Sequence, residues 1–187
     1  TVNSIQAVVY DALGNEIKKI KRKDFKDQSV ADGFSIYTDN RILFLEYTPV
    51  SYPFTIVYES ETTTQNTAFI PNWFPVDDYN ESVQKSTLVI NYPPDLGFKF
   101  QENNFSNNIQ KQQQDTSILF IAENIPAEKP EDYSPLFKKT TPNVIFGLEK
   151  FNLEGYKGSA NTWKDLGEWV NNNLLFDTKQ LDETTKQ

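Results

Sequence analysis

Apolar and polar positions alternate with a period of two along most of this chain. Ile5 to Tyr10 and Glu16 to Lys21 are two such runs. Between them Asp11-Ala12-Leu13-Gly14-Asn15 carries Gly14 and Asn15, which tolerate positive φ, so residues 1–21 predict a hairpin. Phe34 to Thr38 is a short strand, Asp39-Asn40 a tight turn, and Arg41 to Tyr47 a longer apolar strand. After a turn at Pro49 to Pro53, Tyr52, Phe54, Ile56 and Tyr58 share one face against Thr55, Val57 and Glu59. Thr67 to Ile70 reads as a short strand closed by Pro71. Val83 to Tyr92 is a strong one, with Ser86, Leu88, Ile90 and Tyr92 on a common face. Pro93 to Gly97 is a loop, and Phe98 to Glu102 pairs onward. Asn103 to Gln114, rich in amides, is a hairpin end or exposed edge, and Thr116 to Ala122 a buried strand. Pro126 to Pro142 reads as an extended surface connection, and Asn143 to Leu148 as the last strand.

Past residue 158 the period changes. Trp163, Leu166, Val170 and Leu174 follow one another at three, four and four residues, one stripe of a helix. Thr162 with Asp165 forms a capping box at its start. Trp163 and Trp169 stand about 240° apart around such a helix, so one can pack inward while the other is left for a neighbour. Gly167 weakens the helix and points to a close contact or a break there. Many short strands with regular turn signals and no internal repeat predict a mainly β protein: an antiparallel β-sandwich, simple or splayed into a wide saddle, with a C-terminal helix. The expected layout is a β domain over 1–158, the helix over 159–176 leading toward a further domain, and a polar linker over 177–187.

Composition narrows the chemistry. The 187 residues include no Cys, His or Met. The first two absences remove Cys/His and Ser/His/Asp catalysis, zinc-finger sites and any disulfide framework. A net charge of −8 argues against nucleic acid as a partner. No apolar run is long enough to span a membrane, and no cofactor is expected. A start at Thr1 without any methionine is read as set either by processing, for which removal of an export signal is one route, or by the choice of where the chain was cut.

Several clusters offer a site. Lys18, Lys19, Lys21, Arg22, Lys23 and Lys26 form the dense basic stretch, but Asp24 and Asp27 interleave it, so it reads as a solvated strand face. Asp77, Asp78, Asn80 and Glu81 place oxygens close enough for Ca²⁺, yet without the internal glycine and spacing of a calcium loop. Trp73 and Tyr79 with Asp77 and Asp78 form an aromatic loop that could stack on a sugar ring. Core or loop-anchoring aromatics are the plainer reading. Glu59/Glu61, Asp77/Asp78 and Glu128/Glu131 are adjacent carboxylates, but hydrolysis needs two acids facing across a cleft, which sequence neighbours do not supply.

An ordered series of motifs carries a resemblance. It runs Val9-Tyr10-Asp11-Ala12-Leu13-Gly14-Asn15-Glu16-Ile17-Lys18-Lys19-Ile20, Asp24-Phe25-Lys26-Asp27, Tyr37-Thr38-Asp39-Asn40-Arg41 and Tyr52-Pro53-Phe54-Thr55-Ile56. Pro71-Asn72-Trp73, Ser82-Val83-Gln84-Lys85-Ser86 and Trp163-Lys164-Asp165-Leu166-Gly167-Glu168-Trp169 complete it. The series resembles, over nearly the whole chain, the domain of unknown function that lies ahead of transglutaminase-like cores in exported bacterial proteins. The resemblance implies a non-catalytic accessory module in the periplasm or cell envelope of a Gram-negative bacterium. Its partner would be a downstream transglutaminase/protease-like domain of the same chain. Trp163 and Trp169 are the expected interdomain contacts, and a peptide or glycan is the expected ligand. The family's Cys and His have no counterpart here, so no catalytic residue carries over. The alternative reading is a carbohydrate- or peptidoglycan-binding module built on the Trp73–Tyr79 loop.

Overall fold

A computed structural model describes residues 1–29 and 41–175. The strand and turn expected over Phe34–Asn40 lie outside the described residues, as does the polar tail from 177. The fold is mostly β, built from several antiparallel sheets, with one long helix near the C-terminal end. The chain divides into two compact units, the first ending at Thr64 and the second starting at Gln65. The sequence reading carries one β domain through 158 and marks no boundary there.

In the first unit β1 (Val2–Tyr10) lies between β2 (Glu16–Lys21) and β5 (Thr55–Thr62), while β3 (Lys26–Ser29) pairs with β4 (Arg41–Phe44). The turn after β1 is organised by Asp11. Its Oδ1 accepts from the backbone N–H of Leu13 and Asn15, both at 2.8 Å, and Gly14 supplies φ +84°. Ile5, Ala7 and Val9 alternate onto one face of β1 and meet Ile20 and Phe25 to form the core. Ile56 and Tyr58 lie opposite Val9 and Ala7 and so share that face, yet both are exposed. Their alternation reports the face correctly but not its burial.

The second unit holds the larger core. β9 (Ser117–Ile125) runs between β6 (Val83–Asn91) and β8 (Ile109–Gln114). β7 (Phe98–Asn103) pairs with β10 (Asn143–Leu148) in a second sheet. Ile118, Phe120 and Ala122 on one face of β9 pack against Val144 and Phe146 of β10, the interior of a small sandwich. Phe120 is fully buried and its ring touches four others: Trp73, Phe100, Phe105 and Phe146, at centroid distances of 5.6, 5.8, 6.1 and 6.2 Å. Edge-to-face and tilted geometries of this kind suit the ring quadrupoles. Strand β8 has the exposed, amide-rich character its sequence predicts.

Three expectations are corrected. Thr67–Ile70 is not a strand: Thr67 and Ala68 donate only to the carbonyl of Asn152, at 2.8 and 3.3 Å. The connection over Pro126–Pro142 contains a helical turn, α1 (Phe137–Thr140). Asn103, Asn104 and Asn143 amides hold it by donating to the carbonyls of residues such as Lys139 and Thr141 or to one another. Nor is β10 the last strand, since β11 (Lys150–Leu153) and β12 (Tyr156–Ser159) form a further hairpin. Its two-residue turn has Glu154 at φ +50° and Gly155 at φ +88°, the paired positive values that a type I′ turn requires.

Candidate functional site

The helix α2 (Trp163–Asn173) and the β11–β12 hairpin line two grooves with largely apolar walls. The helix starts where its sequence says it should. Thr162 Oγ1 accepts from the Asp165 N–H at 3.1 Å, and Asp165 Oδ2 accepts from the Thr162 N–H at 2.9 Å, completing the capping box. The Thr162 hydroxyl, then the Asn161 and Thr162 backbone N–H groups, hold the Asp165 carboxyl below its ordinary value of 3.8.

Trp169 anchors the helix. Its indole is buried, Nε1 donates to the Lys157 carbonyl at 2.9 Å, and the ring meets Phe151 edge-on at 5.0 Å. Gly158 makes this approach possible, because a Cβ there would stand 2.6 Å from the Phe151 ring. The hairpin is itself tied down from its other flank. Asn152 exchanges bonds with Thr67, its Nδ2 donates to the Gln65 carbonyl at 2.8 Å, and Asn66 pairs with Glu154.

Trp163 has the opposite environment, being 88% exposed. It opens a groove of ≈ 410 Å³ with Leu166, Val170, Leu148, Leu153 and Phe69, the last of which is also largely uncovered. The two tryptophans thus face differently, one inward and one to solvent. Gly167 causes neither of the effects expected of it. The helix runs through it, and a Cβ there would meet nothing within 4 Å.

The aromatic loop does not form the platform of the alternative reading, and Trp73 takes the plainer role of a core aromatic. Trp73 is a core residue: it is 8% exposed, its backbone exchanges two 2.9 Å bonds with Val144, and Nε1 donates to Ser86 Oγ at 3.1 Å. Neither ring face is open to a sugar. Tyr79 packs on Phe137 at 4.5 Å and its hydroxyl lies 3.3 Å from Ser134 Oγ, while Asp78 accepts from the Tyr79 N–H at 2.7 Å. Asp77 and Asp78 are exposed beside Leu136 and Phe137, and no cluster of three metal-type side chains occurs among the described residues. Of the expected site residues, Asp78 and Tyr79 are brought together, whereas Trp73 belongs elsewhere.

Sequence reasoning missed the β11–β12 hairpin and hence Phe151, Lys157 and Gly158. The Glu154-Gly155 pair between Phe151-Asn152-Leu153 and Tyr156-Lys157 is the signal that marks it.

Comparison with known proteins places these features in a family. No curated protein matches the chain. A similar solved structure, at 2.00 Å, is a candidate protease of Parabacteroides distasonis ATCC 8503, with a TM-score of 0.54 and 13% identity. The match covers 78% of the present chain and 29% of that one, and at this identity it is a likeness of fold. Residues 1–129 match the family model described as a Domain of Unknown Function with a solved structure, DUF3857. The matched region takes in the first unit, the Trp73 core and β6 to β9, and so the chain belongs to the DUF3857 family.

Proposed function

We propose that this chain is a non-catalytic β module that positions or presents substrate to a transglutaminase- or protease-like domain C-terminal to it in the same polypeptide, in the envelope of a Gram-negative bacterium. The observation that carries the reading is Trp163, 88% exposed at the start of α2, with Phe69, 78% exposed, lining the same groove. An aromatic pair left in water beside an apolar groove is the signature of a surface that a partner covers. Tryptophan supplies large contact area at small entropic cost and is enriched among residues that dominate binding energy. Two further facts support an accessory role. The chain lacks the Cys and His that acyl-transfer chemistry of this kind uses. The similar fold occupies 29% of a longer chain described as a candidate protease, so most of that protein lies outside the match.

The test is to prepare the chain alone, joined to its C-terminal neighbour, and joined with Trp163→Ala. Mutual thermal stabilisation in the joined protein, lost in the variant, supports docking through this groove. Independent unfolding of the two parts, with Trp163 fluorescence still solvent-exposed, overturns it.

A further inference from the structure

Strand β5 leaves one edge of its sheet open. Among the described residues its backbone is paired on one side, with β1. All eight of its residues are exposed, and Ile56, Val57 and Tyr58 put a run of large apolar side chains in water. Edges of this kind are usually blunted by lysine or proline. β2, the opposite edge of the same sheet, carries Lys18, Lys19 and Lys21, whereas Thr55–Thr62 has neither residue type. An unguarded apolar edge is a template for a further strand.

Backbone bonds fix which residues face that edge. Thr63 exchanges two bonds with Thr1, at 2.8 and 2.9 Å. Backbone groups alternate sides along an antiparallel strand, so Glu61, Glu59, Val57 and Thr55 also turn theirs to β1. The Asp11 N–H, which reaches Asn15 on the other side of β1, fits the same alternation. Ile56, Tyr58 and Ser60 therefore aim their N–H and C=O groups at the open edge. We propose that a second copy of this chain adds its own β5 there, antiparallel, about a two-fold axis at Val57. Ile56 and the partner's Tyr58 then exchange both backbone bonds, as do Tyr58 and the partner's Ile56. Their side chains meet on the core face of the sheet. On the outer face Val57 meets the partner's Val57, and Thr55 meets the partner's Glu59. A pairing of this isologous kind closes on itself. Neighbouring axes pair worse. One at Tyr58 sets Val57 against a carboxylate, and one at Glu59 sets two carboxylates face to face. One at Ile56 overlaps only residues 55–57 of each strand, against residues 55–59 for the axis at Val57.

The pairing uses the first unit alone and does not depend on the groove beside α2. Sedimentation equilibrium of the 187-residue chain should show a reversible dimer of the 21.6 kDa monomer. Val57→Lys should be monomeric where the parent is dimeric, with the parent's circular dichroism, because two ammonium groups would meet on the axis. Thr55→Lys adds the same charge but sets each lysine opposite the partner's Glu59, and should tighten the dimer about fivefold. The chain has no cysteine, so Val57→Cys can report position. Its two sulfurs would lie within disulfide reach across the axis, whereas those of Thr55→Cys would stand about 14 Å apart along the strands. Mild oxidation should therefore link the first cysteine variant and not the second. A parent chain that remains monomeric at millimolar concentration overturns the proposal. So does a dimer unaffected by Val57→Lys, association of Thr55→Lys no tighter than the parent's, or equal cross-linking of the two cysteine variants.

Discussion

Gly158 lies against Trp169 so closely that a methyl group on the glycine would stand 2.8 Å from the indole Cε2. The contact joins β12 to α2, and the indole N–H bond to the Lys157 carbonyl closes it. Since Phe151 crowds the same point at 2.6 Å, neither ring can yield without losing the other's packing. Gly158→Ala should therefore destabilise the chain by about 1–3 kcal/mol, the usual cost of overpacking. Hydrogen exchange should show the loss first at α2 and the β11–β12 hairpin, and chemical denaturation should give its size. Parent-like protection in α2 would show that the helix is held by something other than this contact.

Gly167 makes the opposite prediction from the same helix. It stands in the interior of α2 with open space around the position of a Cβ. Alanine there should fit without strain and narrow the unfolded ensemble. Gly167→Ala is expected to stabilise by about 0.5–1 kcal/mol, read as a raised denaturation midpoint with an unchanged slope.

These two glycines mark what was legible in the sequence and what was not. The hairpin around Asp11, the faces of β6 and the capping box of α2 are local patterns, and each forms as its residues predict. What a glycine is for depends on residues remote in sequence. Gly167, which invites a functional reading, touches nothing, while Gly158 is wedged between Phe151 and Trp169. The same holds for the candidate site. Six residues of separation place Trp163 and Trp169 on different faces of the helix, and one is indeed buried and the other exposed. Trp73 sits in a polar, proline-flanked loop, where residue type favours a core role but the sequence does not say what would cover it. Its burial comes from the bridge to Val144, seventy-one residues on, and from the Phe120 ring. The contact of Trp169 with Phe151 went unseen because Phe151 lies on the hairpin that the reading overlooked.

The centre of the second unit should be its most sensitive point. Phe120 is fully enclosed and touches four rings. Phe120→Ala would leave a void that rings on both sheets cannot close together, at a cost of about 3–5 kcal/mol. By contrast, Trp163→Ala in the chain alone should change stability by less than about 0.5 kcal/mol, because the side chain is already in water. Equilibrium unfolding of the two variants side by side measures this contrast. A large loss from Trp163→Ala would mean that the residue belongs to the chain's own core.

Acid should act on the two structured turns only at low pH, because the carboxylate that organises each is held below its ordinary value. Asp11 is held below its ordinary value of 3.8, first by the Asn15 side-chain amide and then by the Asn15 backbone N–H. Asp165 is lowered by Thr162 and Asn161. A carboxyl whose pKa falls on folding binds fewer protons in the native state than in the unfolded one. Its contribution to stability is then complete above the ordinary value and is lost as pH falls through the lowered native one. The window accordingly lies below 3.8, and neutral and mildly acidic solutions should leave both turns intact. Asp165→Asn retains an oxygen that can accept from Thr162 but does not titrate. In this variant the acid-induced weakening of α2 should shrink, while that of the Asp11 turn is unchanged. NMR titration of the Asn161, Thr162, Leu13 and Asn15 amides resolves the two sites. If the amides around Asp165 move with pH in the variant as they do in the parent, the carboxylate is not what responds to acid at the start of the helix.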